Sequence, residues 1–530
     1  MTGERVYLFD STLRDGAQTQ GVDFSAADKR AIAAALDQLG VDYIEGGWPG
    51  ANPTDDAFFQ DLPATKRGRM VAFGMTRRPG RSAENDPGLS SVLRTPAPVV
   101  CLVGKTWDFH VDLALQTTPE ENLAMIGDSL GLAKQRKEEA QFDAEHFFDG
   151  FKANRDYALA CLRQAQESGA AWITLCDTNG GTLPGEVSEI VTAVRAALPE
   201  ARLGIHCHND TENAVANSLV ALDAGVRLLQ GTVNGLGERC GNANLVSIIP
   251  SLALKTDYVT GIDADGLRGL TSLSHLLYER LNEAPADKQP YVGASAFAHK
   301  GGLHVSAVAK DPRSYEHIDP ELVGNTRHVV VSDQAGRSNI LARLADLGIS
   351  AADLDQKALA DRLVEEVKSK EYAGYAYDGA PASFELLARR LLQQVPAYFA
   401  LDRFRVMDDR RLNARGLLVT ESEATVTLTV DERALMTVAT GNGPVNALDL
   451  ALRKALLPHY PTLEDMRLTD YKVRILTPEA GTEAVTRVMI ESSDGTGRHW
   501  VCIGVSENII DASFIALSDA IAWKLFHDGA

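Results

Sequence analysis

Eight strand-like runs alternate with helix-like runs through the first half of this 530-residue chain, and that alternation restricts the fold more than any other feature. The strand-like runs are Arg5–Asp10, Asp42–Gly47, Arg69–Gly74, Pro98–Gly104, Glu139–Glu145, Ala171–Asp177, Ala201–His206 and Val226–Val233. Amphipathic stretches lie between most of them, including Ser25–Leu39, Glu186–Ala197 and Thr211–Ala224, with Ser25 as an N-cap. Eight such units over about 255 residues match the count and length of a (β/α)8 TIM barrel. A doubly wound sheet is the competing α/β architecture. It usually carries a Gly-rich phosphate turn after the first strand, where this chain has Arg14-Asp15-Gly16-Ala17-Gln18.

The polar residues fall where a barrel puts chemistry, at the C-terminal strand ends. Asp15 follows the first strand, Glu45 sits near the end of the second, and Glu145 ends the fifth. Asp177-Thr178-Asn179 ends the sixth, and Asn234 follows the eighth. His206-Cys207-His208-Asn209-Asp210 ends the seventh. Side chains at i and i+2 of a strand share a face, so His206 and His208 can grip one metal ion together. Alone the pair could equally be a polar strand end. Its distant companions are Asp15 and Asn242, the latter in Gly237-Glu238-Arg239-Cys240-Gly241-Asn242.

The net charge is −20, and no long basic run occurs, which argues against a nucleic-acid partner. Six cysteines are scattered without a Cys-x-x-Cys pair, as expected of reduced thiols in a cytoplasmic protein. The N-terminal residues lack a signal-peptide core, and no apolar run reaches the roughly 18 residues of a membrane span.

The alternation stops near residue 275, so residues 1–275 read as the barrel domain. Asn282–Tyr291, with Pro285 and Pro290, reads as a linker. A second polar cluster follows: His299, His304, Tyr315 and His317. Ala351–Gln394 looks helical and charged, completing a region of linker and helical subdomains over 276–395. Residues 396–530 contain an internal repeat, in which Val438–Leu452 aligns without a gap to Ile503–Leu517. Each copy reads as strand, loop and helix. The runs Ala424–Val430 and Val485–Glu491 complete a ββα-like unit in a compact α+β domain.

Leu13-Arg14-Asp15-Gly16, Glu45, His206-x-His208-Asn209-Asp210 and Gly-x-Gly-Glu-Arg-x-Gly-Asn242 together resemble the Claisen-condensing branch of the DRE-TIM metallolyases. That branch contains the 2-isopropylmalate, homocitrate and citramalate synthases. The C-terminal repeat resembles their amino-acid-binding regulatory domain. Ala17 departs from the Arg-Asp-Gly-Glu-Gln loop of isopropylmalate synthases. The stretches Gly104–His110 and Asp143–Gly150 instead resemble the long bacterial (R)-citramalate synthases, which condense pyruvate with acetyl-CoA.

The resemblance implies a divalent metal (Mn²⁺, Mg²⁺ or Zn²⁺) held by Asp15, His206, His208 and Asn242, with open positions for a chelating 2-oxo acid. Arg14 would steady the developing oxyanion and pair with Glu45. Thr178 and His110 would touch the substrate, and Glu145 would orient the acetyl group or take its proton. His304 and Tyr315 would reach the barrel of a partner subunit, making the enzyme a homodimer. Trp48, Phe109, Asp143 and His146 are candidates for setting the size of the 2-oxo-acid pocket. Gly441-Asn442-Gly443 and Ser506-Glu507-Asn508 precede helices of the repeat and could receive the carboxylate of an inhibitory amino acid, isoleucine by pathway logic. The rival readings are a synthase for another 2-oxo acid, a lyase, and a non-catalytic amino-acid sensor.

Overall fold

A computed structural model describes residues 3–281, 283, 285–299, 302–329, 343–344, 347–349, 356–412 and 414–530. The chain forms two compact units, Met1–Phe297 with His317–Arg327, and Ala298–Glu316 with His328–Ala530. No helix among the described residues is long and apolar enough to cross a membrane.

The first unit is a closed barrel of eight parallel strands in sequence order. They are β1 (Tyr7–Asp10), β2 (Tyr43–Gly47), β3 (Arg69–Met75), β4 (Val99–Lys105), β5 (Glu139–Glu145), β6 (Ile173–Asp177), β7 (Leu203–Cys207) and β8 (Leu228–Gly231). Strand β8 closes on β1 through the register Tyr7↔Leu228 to Asp10↔Gly231. Such strands are covered on both faces, which is why runs like Val99-Val100-Cys101-Leu102-Val103 are continuously apolar. The barrel is a packed core and not a pore. Phe9, Tyr43, Val71, Phe73, Val99, Cys101, Trp172 and Leu228 form one buried cluster within it.

The expected helices are present. Ala26–Leu39 begins at Ser25, whose hydroxyl accepts from Asp28 N at 3.1 Å while Asp28 Oδ2 accepts from Ser25 N at 3.1 Å. This reciprocal capping box satisfies two otherwise unpaired donors. The helix stops at Gly40, whose φ of 105° suits a residue without Cβ. The stretch read as Thr211–Ala224 is helical only from Ala214 to Asp223, because Asn209-Asp210-Thr211 is spent on the loop after β7.

In the second unit, two-residue strands β9 (Ala298–His299) and β10 (His328–Val329) pair in parallel. Helices Gln356–Tyr372 and Pro381–Leu391 lie in the stretch read as helical. Residues 351–355 of that stretch, and 282 and 284 of the linker, lie outside the described residues. The repeat forms two antiparallel sheets, each followed by a helix. The first has β11 (Ala400–Leu412), β12 (Leu418–Val430) and β13 (Arg433–Gly441), then helix Pro444–Leu456. The second has β14 (Arg467–Ile475), β15 (Thr486–Ser493) and β16 (His499–Ser506), then helix Ile509–Asp528. Each copy is therefore βββα, one strand more than the ββα-like reading. The extra strands were hard to see because β11 and β14 are mostly exposed and strongly polar, so no buried alternation marks them. The equivalent alanines Ala447 and Ala512 are fully buried in the two helices, as the gapless repeat requires.

Helix Pro381–Leu391 is fastened to helix Ile509–Asp528 by two carboxylates, Asp519, which accepts from Ser383 Oγ and Arg390 Nη1 at 2.8 Å each, and Glu385. Glu385 accepts from Arg389 Nε at 2.7 Å and Trp523 Nε1 at 2.8 Å, and pairs with His527 Nε2 at 3.1 Å. Burial pushes this carboxyl up, but the bonds from His527, Arg389 and Trp523 outweigh it and hold it at about 2, below the ordinary 4.5. A depressed folded value stabilises the fold above the unfolded value and stops doing so as pH falls through the folded one. Glu385→Gln should therefore cost about 1.5 kcal/mol at neutral pH, as for hydrogen bonds to a charge. Denaturant melts should show the gap between variant and wild type closing as pH drops below about 4.5. A gap independent of pH would contradict this role.

Candidate active site and metal centre

The loop after β1 and the end of β2 bring three charges together. Arg14 Nε donates to Glu45 Oε2 at 2.7 Å, and Arg14 Nη1 donates to Asp15 Oδ2 at 3.1 Å. The guanidinium also lies 4.1 Å from the Phe73 ring centroid, a cation–π contact that fixes its plane. Glu45 is fully buried, and burial pushes its carboxyl up to about 7 despite Arg14.

Strand β7 places both histidines beside Asp15. His206 Nε2 is 3.5 Å and His208 Nε2 3.9 Å from Asp15 Oδ2. Ligand atoms of Asp15, His206 and His208 lie within 4.8 Å of one another, and all three residues are buried. Burial lowers His206 to about 3 and also lowers His208, so both rings are neutral, as metal ligands must be. Burial raises Asp15, but the charged Arg14 guanidinium beside it leads the opposing interactions that bring it to about 2, keeping it ionised. Asn242 bridges to His208 in the chain's backbone pairing, and its Nδ2 donates to Leu236 O at 3.1 Å. Asp15 Oδ1 and Asn242 Oδ1 are buried with no hydrogen-bond partner. Two orphaned oxygens beside two neutral imidazoles fit a divalent cation of N/O preference.

Gln230 on β8 is a residue the sequence reading missed. Its Nε2 donates to Asp143 Oδ1 at 2.9 Å, so its Oε1 faces His206 Nδ1 at 3.0 Å. His206 Nδ1 must then carry the proton, leaving the Nε2 lone pair on the Asp15 side. A glutamine inside the apolar strand Leu228-Leu229-Gln230-Gly231 was the available signal.

A cavity of about 240 Å³ opens over these groups. Arg14, Asp15, Glu145, Thr178, His206 and His208 line it, with Trp48 and Asp143 among the pocket candidates. Lys105, also missed, lines it too and pairs with Glu145 Oε2 at 2.5 Å. Burial pushes the Asp143 carboxyl up. His110 does not line the cavity. It stacks on Trp107 at 5.0 Å and meets the His146 ring edge-on at 4.4 Å. Phe109 is half exposed.

In the second unit, His304 and Tyr315 stack on each other with ring centroids 4.0 Å apart, and both are exposed. The two regulatory loops differ. Asn508 accepts from Ile510 N and Asp511 N, which occupies the helix N–H groups there. Gly443 gives its helix no side-chain cap, and Asn442 N donates to Asn446 Oδ1. Ser506 ends β16, and Gly441 ends β13. Glu507 is exposed between them and the second helix.

The HMGL-like family profile matches residues 5–273, just over half of the chain. A homocitrate synthase post-HMGL domain-like profile matches 291–371, and the LeuA allosteric (dimerisation) domain matches 378–525. An (R)-citramalate synthase of Aquifex aeolicus is 50% identical over 528 residues, covering 99% of this chain and 98% of its own. One of Synechocystis sp. is 50% identical over 530 residues, covering 98% and 96%. A 2-isopropylmalate synthase of Dictyoglomus turgidum is 29% identical over 525 residues, covering 98% of each. Sharing half its residues along almost its whole length, the chain belongs to the (R)-citramalate synthase family, within the wider HMGL-like family.

Proposed function

We propose that the chain condenses acetyl-CoA with pyruvate and water to give (R)-citramalate and CoA, on a pyruvate route to isoleucine. The observation that carries the substrate assignment is the gap between 50% identity to an (R)-citramalate synthase and 29% to a 2-isopropylmalate synthase, each over nearly full length. A cavity walled by Trp48, Phe73 and Met75 suits a small 2-oxo acid, since large side chains exclude a branched one.

Asp15, His206, His208 and Asn242 are the residues that would hold a divalent cation, which when bound supplies Lewis-acid polarisation of the keto group, worth several kcal/mol. Thr178 donates its hydroxyl to the pyruvate carboxylate. Arg14 is held by Asp15 and Glu45 before substrate arrives, so its charge meets the developing oxyanion without reorganising. Glu145 takes the proton from the acetyl methyl, and its ion pair with Lys105 fixes the carboxylate in the cavity. The methyl carbon then bonds to the keto carbon as the C=O π bond opens onto its oxygen, and that oxyanion takes up a proton in exchange for the one Glu145 releases. Water cleaves the thioester, and loss of CoA makes the sequence irreversible. His304 and Tyr315 enter this site from a partner subunit, with residues 276–395 as the arm and 396–530 as the dimerising, regulatory domain. The exposed stack of the two rings supports that assignment. Six free cysteines support a reducing, cytoplasmic setting.

The reaction is tested by CoA release in the presence of Mn²⁺ or Mg²⁺. Pyruvate should be strongly preferred over 2-oxobutyrate, 2-oxoisovalerate and 2-oxoglutarate. Preference for 2-oxoisovalerate would keep the mechanism and overturn the substrate, whereas silence with all four would favour a lyase or a sensor.

Gln230→Ala should weaken divalent-metal affinity about ten- to hundredfold by freeing the His206 ring. A competitive metal titration checks this, and unchanged affinity would remove Gln230 from the account.

The paired C-terminal domains should bind isoleucine at the repeat loops, its carboxylate at 441–443, where the helix has no side-chain cap, since Asn508 fills the helix N–H groups at 506–508. Activity titrated with isoleucine, leucine and valine should fall with isoleucine first. Indifference to all three would end this assignment.

A further inference from the structure

The connection after β5 is one residue long, and that residue is strained. Glu145 still belongs to the strand, and its carbonyl accepts from Thr106 N and Oγ1. Helix Phe147–Ala153 begins two residues later. His146 makes the whole turn, with φ 54° and ψ 35° in the left-handed region. For a residue with a Cβ this costs on the order of 1 kcal/mol and persists only where the surroundings enforce it.

Those surroundings are a carboxylate, an amide and two aromatic rings. His146 Nδ1 pairs with Asp149 Oδ2 at 3.1 Å, and the same oxygen accepts from Asn179 Nδ2 at 2.9 Å. The Trp107 and His110 rings pack against the His146 ring. Gly150 lets the helix approach β4, since a Cβ there would lie 2.4 Å from Thr106 O.

The strained turn has one polar product. It swings the His146 backbone N–H onto Thr178 Oγ1 at 2.8 Å. A threonine hydroxyl has one proton and two lone pairs. With an acceptor site filled by His146, and no acceptor for its proton among the described residues, the Thr178 O–H is left to donate into the cavity that Thr178 lines.

We propose that His146 is a positioning residue: its left-handed backbone, locked by Asp149, orients the Thr178 hydroxyl as a donor to the substrate carboxylate. This rests on the reading above that Thr178 binds the 2-oxo acid. The contribution comes from the backbone conformation, so the imidazole acts only by stabilising that conformation.

Four variants separate backbone from side chain. Glycine and asparagine tolerate the left-handed region, whereas valine and alanine resist it increasingly with Cβ branching. In the full-length, metal-replete protein, His146→Gly and His146→Asn should keep the pyruvate KM within about twofold. His146→Val should raise it about tenfold or more, as for loss of one hydrogen bond to a charged group, with the acetyl-CoA KM little changed. His146→Ala should fall between and serves if the valine variant does not fold. Combining His146→Val with Thr178→Val should add nothing to Thr178→Val alone. An unchanged pyruvate KM in the valine or alanine variant would overturn the proposal, as would a glycine variant as impaired as valine. Failure of the wild type to turn over pyruvate would instead sink the functional reading on which it rests.

Discussion

Arg14 shared between Asp15 and Glu45 is the interaction on which the site depends. Two carboxylates and one guanidinium are taken out of water at the barrel mouth, and removing one partner of such a group costs about 3–5 kcal/mol. The arrangement needs β1 and β2 side by side, which the closed barrel enforces through the register Phe9↔Tyr43 and Asp10↔Ile44. Its electrostatic result is asymmetric. Asp15 stays ionised, the two histidines stay neutral, and Glu45 is lifted towards neutrality by burial. One anion between two imidazoles, with Asp15 Oδ1 and Asn242 Oδ1 unsatisfied, fits the donor set of a divalent cation.

Around that centre the barrel supplies second contacts that hold each group in one state. Gln230 selects the His206 tautomer, Phe73 fixes the Arg14 plane, and Lys105 pairs with Glu145. These are interior or strand-end residues of β8, β3 and β4, so the strands that close the barrel also orient its chemistry.

The barrel was legible because its strands are short apolar runs bounded by turns, and each observed strand lies within about two residues of the run that marked it. The residues that line the cavity were legible because His206 and His208 share a strand face, and Asp15, Glu145 and Thr178 recur at strand ends. Other parts were hidden for definable reasons. Gln230 was masked by its apolar neighbours, and its role exists only once β7 and β8 pair at His206↔Gln230. His110 was placed near the substrate by its position after β4, and its packing against the Trp107 and His146 rings could not be read from the sequence. The left-handed turn at His146 carries no glycine or asparagine to announce it. The outer strands of the repeat are polar on most positions, so the period of two that marks a half-buried strand was absent.

The most direct test of the central claim is the identity and handedness of the product. Metal-replete protein given acetyl-CoA and pyruvate should yield citramalate in amounts equal to the CoA released, and chiral chromatography should find the (R) enantiomer alone. CoA release without citramalate would make the chain a thioesterase of its substrate and would contradict the account.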